Sequence, residues 1–356
     1  MIEGNISMLK VALIGCGRIS KKHVACLQAI EQTQLCAVCD IVEQRARDCA
    51  DALDIPYYTD YHEMLRQEKP DLVHVLTPSG LHGAHVLDIA DYGCHILVEK
   101  PMALTLEDAD SMIEACDRAG TKLFVVKQNR YNLAVQQLKR ALDAGRFGKL
   151  VLGTVRVRWC RRQDYYDQDA WRGTWAMDGG VLTNQASHHI DLLEWCMGEV
   201  ESVFARTTTR LVDIEVEDTG VAMLQFTSGA LGIIEATTAT RPEDLEGSIS
   251  VLGEKGSVEI GGFAVNEIKT WNFADKNEQD EEIRTDNNQM PPDVYGFGHR
   301  LFIENVVQSI QSKTSGLVHG LEGRKSLELI NAIYESVETG REVPLKFRAR
   351  KCRLGR

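Results

Sequence analysis

A chain of 356 residues with 44% hydrophobic and 26% charged content has room for two ordinary domains and reads as globular. A net charge of −12 argues against general nucleic-acid binding. The lack of any run of ~18 apolar residues argues against a membrane span.

The short acidic start, "MIEGNIS", does not have the pattern of a signal peptide. Ten cysteines at scattered spacings therefore read as reduced thiols of a cytoplasmic protein. From there the chain alternates strand and helix patterns. "LKVALIG" is a short apolar strand ending in glycine, and "RISKKHVACLQAI" places Ile19, His23, Leu27 and Ile30 at helical spacing. "LCAVCD" is a second strand, on which Cys36 and Cys39 point to opposite faces and make a poor redox or metal pair. "VEQRARDCADAL" is a helix, "DLVHVLTP" and "HILVEKP" are strands stopped by proline, and "KLFVVKQ" is another strand. Between the last two, "TLEDADSMIEACDRAG" is a helix with Thr105 as N-cap, Asp108 near its third position and Gly120 at its end. This alternation predicts a doubly wound parallel sheet over residues 1–128, an α/β dinucleotide domain.

The pattern changes over residues 129–356. The helix "LAVQQLKRALDAG" leads into long alternating segments, among them "LVLGTVRVRWC", "VESVFARTTTRL", "DTGVAMLQFTSGALGIIEATTA" and "EGSISVLGEKGSVEI". These predict a second, α+β domain with a large, mostly antiparallel sheet covered on one face. "DKNEQDEEIRTDNNQMPPD" reads as a polar loop, and residues 325–340 as an amphipathic C-terminal helix.

Gly15-Cys16-Gly17-Arg18-Ile19-Ser20 lies between the first strand and the first helix, a G-x-G-x-x-S turn. Gly15 permits the tight turn, Gly17 lets a pyrophosphate approach the backbone, and the helix N–H groups bind the anion. Asp40 ends the second strand, where a carboxylate accepts from ribose hydroxyls and repels a 2′-phosphate, favouring NAD over NADP. Arg45 is the dissenting residue, and helix capping is the plain alternative role for Asp40. Ligands of open parallel sheets bind beyond the carboxyl ends of the strands. Thr77–His82 and Glu99–Pro101 occupy such ends, so Lys100 is a candidate to project near a nicotinamide. An X-Pro bond at Lys100–Pro101 is a candidate for the cis form.

The glycine turn, "TPSGLH", "EKP" and the GG…H-x-x-D segment come in an order that resembles the glucose–fructose oxidoreductase/inositol dehydrogenase family over nearly the whole chain. The resemblance implies hydride transfer between a sugar hydroxyl carbon and NAD(P), with Lys100 and His188 as the catalytic pair. It implies cofactor contacts from Gly15, Gly17, Arg18, Ile19, Asp40, Thr77, Pro78, His82, Glu99, Lys100, Gln128, Trp171 and Arg172. One departure stands out: Asn184 occupies the place where the family has aspartate, so His188 lacks a carboxylate from that position and Lys100 becomes the rival acid/base. Residues four apart share a helix face, so Asn184 and His188 are expected to meet substrate together, while His189 points elsewhere as a core histidine. No metal site is expected, since His82 and His85 have ligand spacing but no companion cluster.

Arg156 to Trp175 is rich in arginine and aromatic residues, which suit a diphosphate or carboxylate beside a ring; a solvated or interfacial sheet face is the bland alternative. With "QNRYN" and Asn184-Gln185, this stretch is similar to the branch of the family that oxidises the 3″-hydroxyl of UDP-N-acetyl-2-amino-2-deoxyglucuronate. That implies a UDP-sugar substrate held by Lys100, Arg158, Tyr165, Asn184, Gln185 and His188. It also implies tightly held NAD recycled by 2-oxoglutarate, and a homotetramer. The rival readings are another sugar or cyclitol dehydrogenase and a non-catalytic NAD-binding sensor.

Overall fold

The computed structural model describes residues 8–286, 298–314 and 316–345. Six short strands form the first sheet: β1 (Leu9–Ile14), β2 (Thr33–Cys39), β3 (Tyr57–Tyr58), β4 (Leu72–Val75), β5 (His95–Val98) and β6 (Leu123–Val125), in the order β3-β2-β1-β4-β5-β6. Every pairing is parallel. Strands β1, β4 and β5 are almost wholly buried, as expected for a sheet covered on both faces. The helices between them are α1 (Ser20–Gln28), α2 (Glu43–Asp51), α3 (Tyr61–Glu68), α4 (His82–Ala90) and α5 (Leu106–Ala119). The Thr105 hydroxyl accepts from Asp108 N at 3.1 Å to start α5, and Gly120, at φ +68°, ends it. The strand order reverses between β1 and β4, which opens a crevice at their carboxyl ends.

After α6 (Leu133–Asp143) comes β7 (Leu150–Arg158), then α7 (Gln163–Tyr166) and α8 (Ser187–Met197). Strands β8 (Val200–Thr208), β9 (Thr219–Phe226), β10 (Leu231–Thr237), β11 (Glu246–Gly253), β12 (Gly256–Gly261), β13 (Glu267–Phe273) and β14 (Val343–Pro344) follow. They form an eight-stranded sheet, β13-β12-β11-β7-β10-β9-β8-β14, antiparallel except where β7 meets β10. Helix α8 crosses one face so closely that a Cβ on Gly153 of β7 would come within 2.7 Å of Met197. The opposite face is open: Val221, Met223, Leu231 and Ile233 are exposed on adjacent strands.

Helix α9 (Asp280–Asp286) replaces part of the expected polar loop. Its start is tied down by Arg146, whose guanidinium donates to both Asp280 oxygens at 2.7 and 2.8 Å, and by the Trp271 indole at 2.8 Å. Sequence patterning missed the Arg146 partner because it lies 134 residues away along the chain. Residues 287–293 of that stretch lie outside the described residues, as does the N-terminal heptapeptide. Helices α10 (Gly298–Gln311) and α11 (Gly320–Thr339) close the fold. Phe302, Ile303, Val306 and Leu327 from these two helices pack into the core of the first sheet, so the late chain returns to the first domain.

Candidate functional site

At the glycine turn, Gly15 adopts φ +102°, and a Cβ there would lie 2.7 Å from the Leu76 carbonyl oxygen. Glycine is required on both counts. A Cβ on Gly17 would meet nothing within 4 Å, so the backbone is open to a ligand. The Ser20 hydroxyl donates to Gly17 O at 2.6 Å, which ties the helix start to the turn. Asp40 accepts from Cys16 N and from Val42 N, each at 2.8 Å. It therefore holds the turn and also serves the approach to α2, and a carboxylate keeps lone pairs for ribose hydroxyls beyond these two bonds. Arg45 pairs with Asp169 at 3.5 Å, so its charge is directed at the second domain. Arg18, beside the turn, donates to the neighbouring Gln168. The turn fits an NAD pyrophosphate and ribose.

The strand-end loops meet the second domain here. Gly80 of the Thr77-Pro78-Ser79-Gly80 loop donates from N to Met177 O at 3.0 Å. His82 is buried, with its ring nitrogens 2.8 Å from Pro101 O and 2.9 Å from Thr77 O. It therefore pins the Thr77 loop to the Lys100–Pro101 loop rather than facing a cofactor. The Lys100–Pro101 peptide is cis. Glu99 is likewise turned inward: its carboxylate meets His23 Nε2 at 3.0 Å and His299 Nε2 at 3.8 Å, and accepts from Lys100 N at 3.0 Å. The side chains of His82 and Glu99 thus support the strand ends, and only their loops border the crevice.

Lys100 leaves β5 toward the second domain, and its Nζ donates to Asn184 O at 2.8 Å. Asn184 lies on a π-helical turn, Val181–Gln185, and α8 begins only at Ser187. The two segments do not form one regular helix, so the i,i+4 argument for Asn184 and His188 fails as geometry. A local helical break of this kind is frequent at functional sites. The turn nevertheless brings the Asn184 carbonyl to Lys100. The Asn184 amide donates to Asp178, and Asp178 Oδ2 also accepts from Gly173 N at 2.8 Å. Asp178 is 1% exposed and was not anticipated from sequence, because "MDGG" reads as an ordinary turn.

His188 is buried at the start of α8, and Gln128 Nε2 donates to its Nε2 at 2.9 Å. That contact leaves the ring proton on Nδ1. Gln128 Oε1 is buried with no partner among the described residues, an acceptor suited to a ligand amide. Burial first, then the nearby charges of Lys100 and Lys127, hold His188 well below the usual histidine range, so the ring is neutral. Burial also lowers Lys100, while the Glu99 and Asp178 carboxylates oppose that shift. One turn along α8, Asp191 receives the Arg130 guanidinium in two bonds of 2.8 Å and lies 3.3 Å from Lys127 Nζ. Lys127, which the sequence did not single out, is 4% exposed. This buried group fixes α8 to the segment carrying Gln128.

The stretch after β7 covers the crevice. Arg172 lies 4.5 Å from the Trp171 ring centre and 4.8 Å from that of Tyr165, and donates to the Tyr165 hydroxyl at 2.9 Å. Gln185 is buried beside Asn184. Arg158 corrects an expectation: its guanidinium is bound by Glu235 at 2.6 and 2.8 Å and by Glu246 at 2.9 Å. It alternates with buried Val155 and Val157, so it lies on the sheet face opposite α8. Arg158 thus fits the alternative of a solvated or interfacial sheet face, where it is held by ion pairs. His189 is a core histidine, 5.8 Å from the Trp159 ring, and neither ring nitrogen has a hydrogen bond among the described residues.

Comparison with known proteins agrees with this geometry. Residues 9–127 match the model of the oxidoreductase family NAD-binding Rossmann fold, and residues 139–345 match its C-terminal alpha/beta domain. The chain is 30% identical to a myo-inositol 2-dehydrogenase of Thermotoga maritima, over 95% of this chain and 99% of the relative. It is 42% identical, with a TM-score of 0.92, to the WlbA dehydrogenase of Bordetella pertussis, solved with NADH and UDP-GlcNAcA; the match covers 96% of this chain and 99% of that one. The WlbA dehydrogenase of Chromobacterium violaceum, solved with the same ligands, is 44% identical with a TM-score of 0.91, covering 96% and 97%. Among the described residues no helix is long and apolar enough to cross a membrane. With both domain models matched in order over nearly the whole chain, the chain belongs to the Gfo/Idh/MocA oxidoreductase family of NAD-dependent dehydrogenases.

Proposed function

We propose that this chain oxidises the 3″-hydroxyl of UDP-N-acetyl-2-amino-2-deoxyglucuronate to the 3-keto sugar, a step of bacterial surface-polysaccharide synthesis. The observation that carries the reading is the Lys100–Asn184 contact of 2.8 Å, with His188 within reach of the Lys100 charge, in a chain 42 and 44% identical to two enzymes solved with that nucleotide sugar. NAD, when bound, supplies the nicotinamide carbon that takes the hydride.

The residues divide the remaining work by their electrostatics. Lys100, lowered by burial, gives up its proton more readily than an exposed lysine. As a neutral amine it accepts the hydroxyl proton, and the ammonium formed lies near Glu99 and Asp178. An imidazolium at His188 would instead face the Lys100 and Lys127 charges. Lys100 is thus the base, and neutral His188 orients the hydroxyl through a hydrogen bond. Tyr165, Asn184 and Gln185 border the sugar, Trp171 and Arg172 the nicotinamide side.

Tightly held NAD recycled by 2-oxoglutarate, and a homotetramer, belong to the same reading. The exposed apolar face of the second sheet supports assembly. The test adds UDP-GlcNAcA, UDP-GlcNAc or myo-inositol to the purified protein and follows NADH fluorescence and product mass. The expected result is loss of two hydrogens from UDP-GlcNAcA alone, with 2-hydroxyglutarate appearing when 2-oxoglutarate is supplied. Oxidation of myo-inositol with UDP-GlcNAcA untouched would instead support the cyclitol reading, which the Thermotoga relative favours.

A further inference from the structure

We propose that Asp178 is the positioning carboxylate of the reacting centre, and that it carries the charge which the family pattern places at position 184. The Asn184 amide donates to Asp178 Oδ1, and the Asn184 main-chain oxygen receives Lys100 Nζ at 2.8 Å. Asn184 is held at both ends, between a buried carboxylate and the base. Its amide cannot turn over, because Oδ1 would then face the Asp178 carboxylate oxygen to oxygen. The second Asp178 oxygen accepts from Gly173 N at 2.8 Å and so ties the Trp171–Gly173 segment to the same point. An aspartate at 184 would set two carboxylates side by side, which strongly raises one of them. Asp178 and Asn184 therefore form one complementary pair of acid and amide. Burial pushes Asp178 up, while its hydrogen bonds and the Lys100 and Arg172 charges pull it down. Around Lys100 the charged groups are Glu99, Asp178, Lys127 and Arg172.

The inference rests on Lys100 being the proton-handling group of the proposed reaction. In D178N the hydrogen bonds are remade, because Asn184 turns over to accept from the new NH2 while the new carbonyl oxygen keeps Gly173 N; what is lost is the negative charge beside Lys100. The expected result is a roughly 30-fold fall in kcat with NAD affinity within about threefold of the parent. The rise of kcat/KM with pH should also move to lower pH, because the ammonium has lost an anionic neighbour. N184D should also be slow. The exchange variant D178N/N184D restores every partner: the new amide takes Gly173 N on its oxygen and donates to the new carboxylate. It should recover to within about fivefold of the parent, with the pH profile restored. D178N within twofold of the parent with an unmoved profile would overturn the proposal, as would an exchange variant that melts like the parent yet is no faster than the single variants. Should the exchange variant melt early, D178N decides alone. Titration of Lys100 by NMR of labelled lysine, parent against D178N, requires no sugar. A parent that leaves UDP-GlcNAcA untouched therefore removes the substrate reading while this shift still tests Asp178, and an unshifted lysine removes Asp178 while the substrate reading stands.

Discussion

Replacing Arg130 with methionine tests the buried ion group under His188. Arg130 and Asp191 are 3% and 2% exposed, and the guanidinium makes two bonds of 2.8 Å to the carboxylate. Burial alone would raise Asp191, yet the Arg130 and Lys127 charges bring it down to about 2. Removing one partner of such a pair costs ~3–5 kcal/mol, because a charge is left buried and unpaired. Lys127 remains 3.3 Å from Asp191, which places the expected loss near the lower end, about 3 kcal/mol. At ~2–4 °C per kcal/mol for a unit of this size, the melting temperature falls by roughly 6–12 °C. The sign with pH follows from the depressed carboxyl: its stabilisation is present above the unfolded value near 4 and is lost as pH falls toward 2. Arg130→Met should therefore show a smaller loss of stability between pH 5 and pH 3 than the parent. Urea titrations at several pH values measure both quantities. A loss below about 1 kcal/mol at pH 7, or an unchanged acid slope, would refute the reasoning.

Other expectations follow from the same contacts. Gln168→Ala with Asp169→Ala releases the clasp on Arg18 and Arg45, so bound NADH should leave several-fold faster in a stopped-flow chase. Glu217 is buried, accepts from Leu182 N at 3.0 Å and from the Tyr334 hydroxyl at 2.9 Å, and is pushed up to about 7 by burial. Its raised value means that stability falls as pH climbs from about 4.5 to 7, so Glu217→Gln should melt higher than the parent at pH 8 and equally at pH 4.5. Asp40→Ala should weaken NAD binding and narrow its margin over NADP, read by fluorescence titration, since the carboxylate braces Cys16 N in the glycine turn and its charge would repel a 2′-phosphate bound there.

The fold was legible because it rests on local patterns. Strand runs broken by glycine or proline, and helices with Thr105 and Gly120 at their ends, encode the doubly wound sheet within short windows. The Gly15–Ser20 turn and Lys100 were legible because strand ends are where such sheets bind ligands. Asp178 was not, since its partners Gly173 and Asn184 meet it only through an irregular turn that has no sequence periodicity. The π-helical turn hid for the same reason: "VLTNQASHHIDLLEW" has the spacing of one continuous helix, and the break comes from tertiary anchors, Glu217 on Leu182 N and Lys100 on Asn184 O. Arg158 misled because alternation places a residue on a sheet face without saying what lies across from it; Glu235 and Glu246 arrive from β10 and β11.

The assignment of Lys100 as base and His188 as neutral partner is tested most directly by the pH dependence of kcat/KM in Lys100→Met and His188→Asn. Lys100→Met should lose roughly 10²–10⁴-fold in turnover and lose the rise with pH, with NAD still bound, whereas His188→Asn should be slower but keep that rise. Near-parental turnover in Lys100→Met, or the rise vanishing only in His188→Asn, would contradict the account.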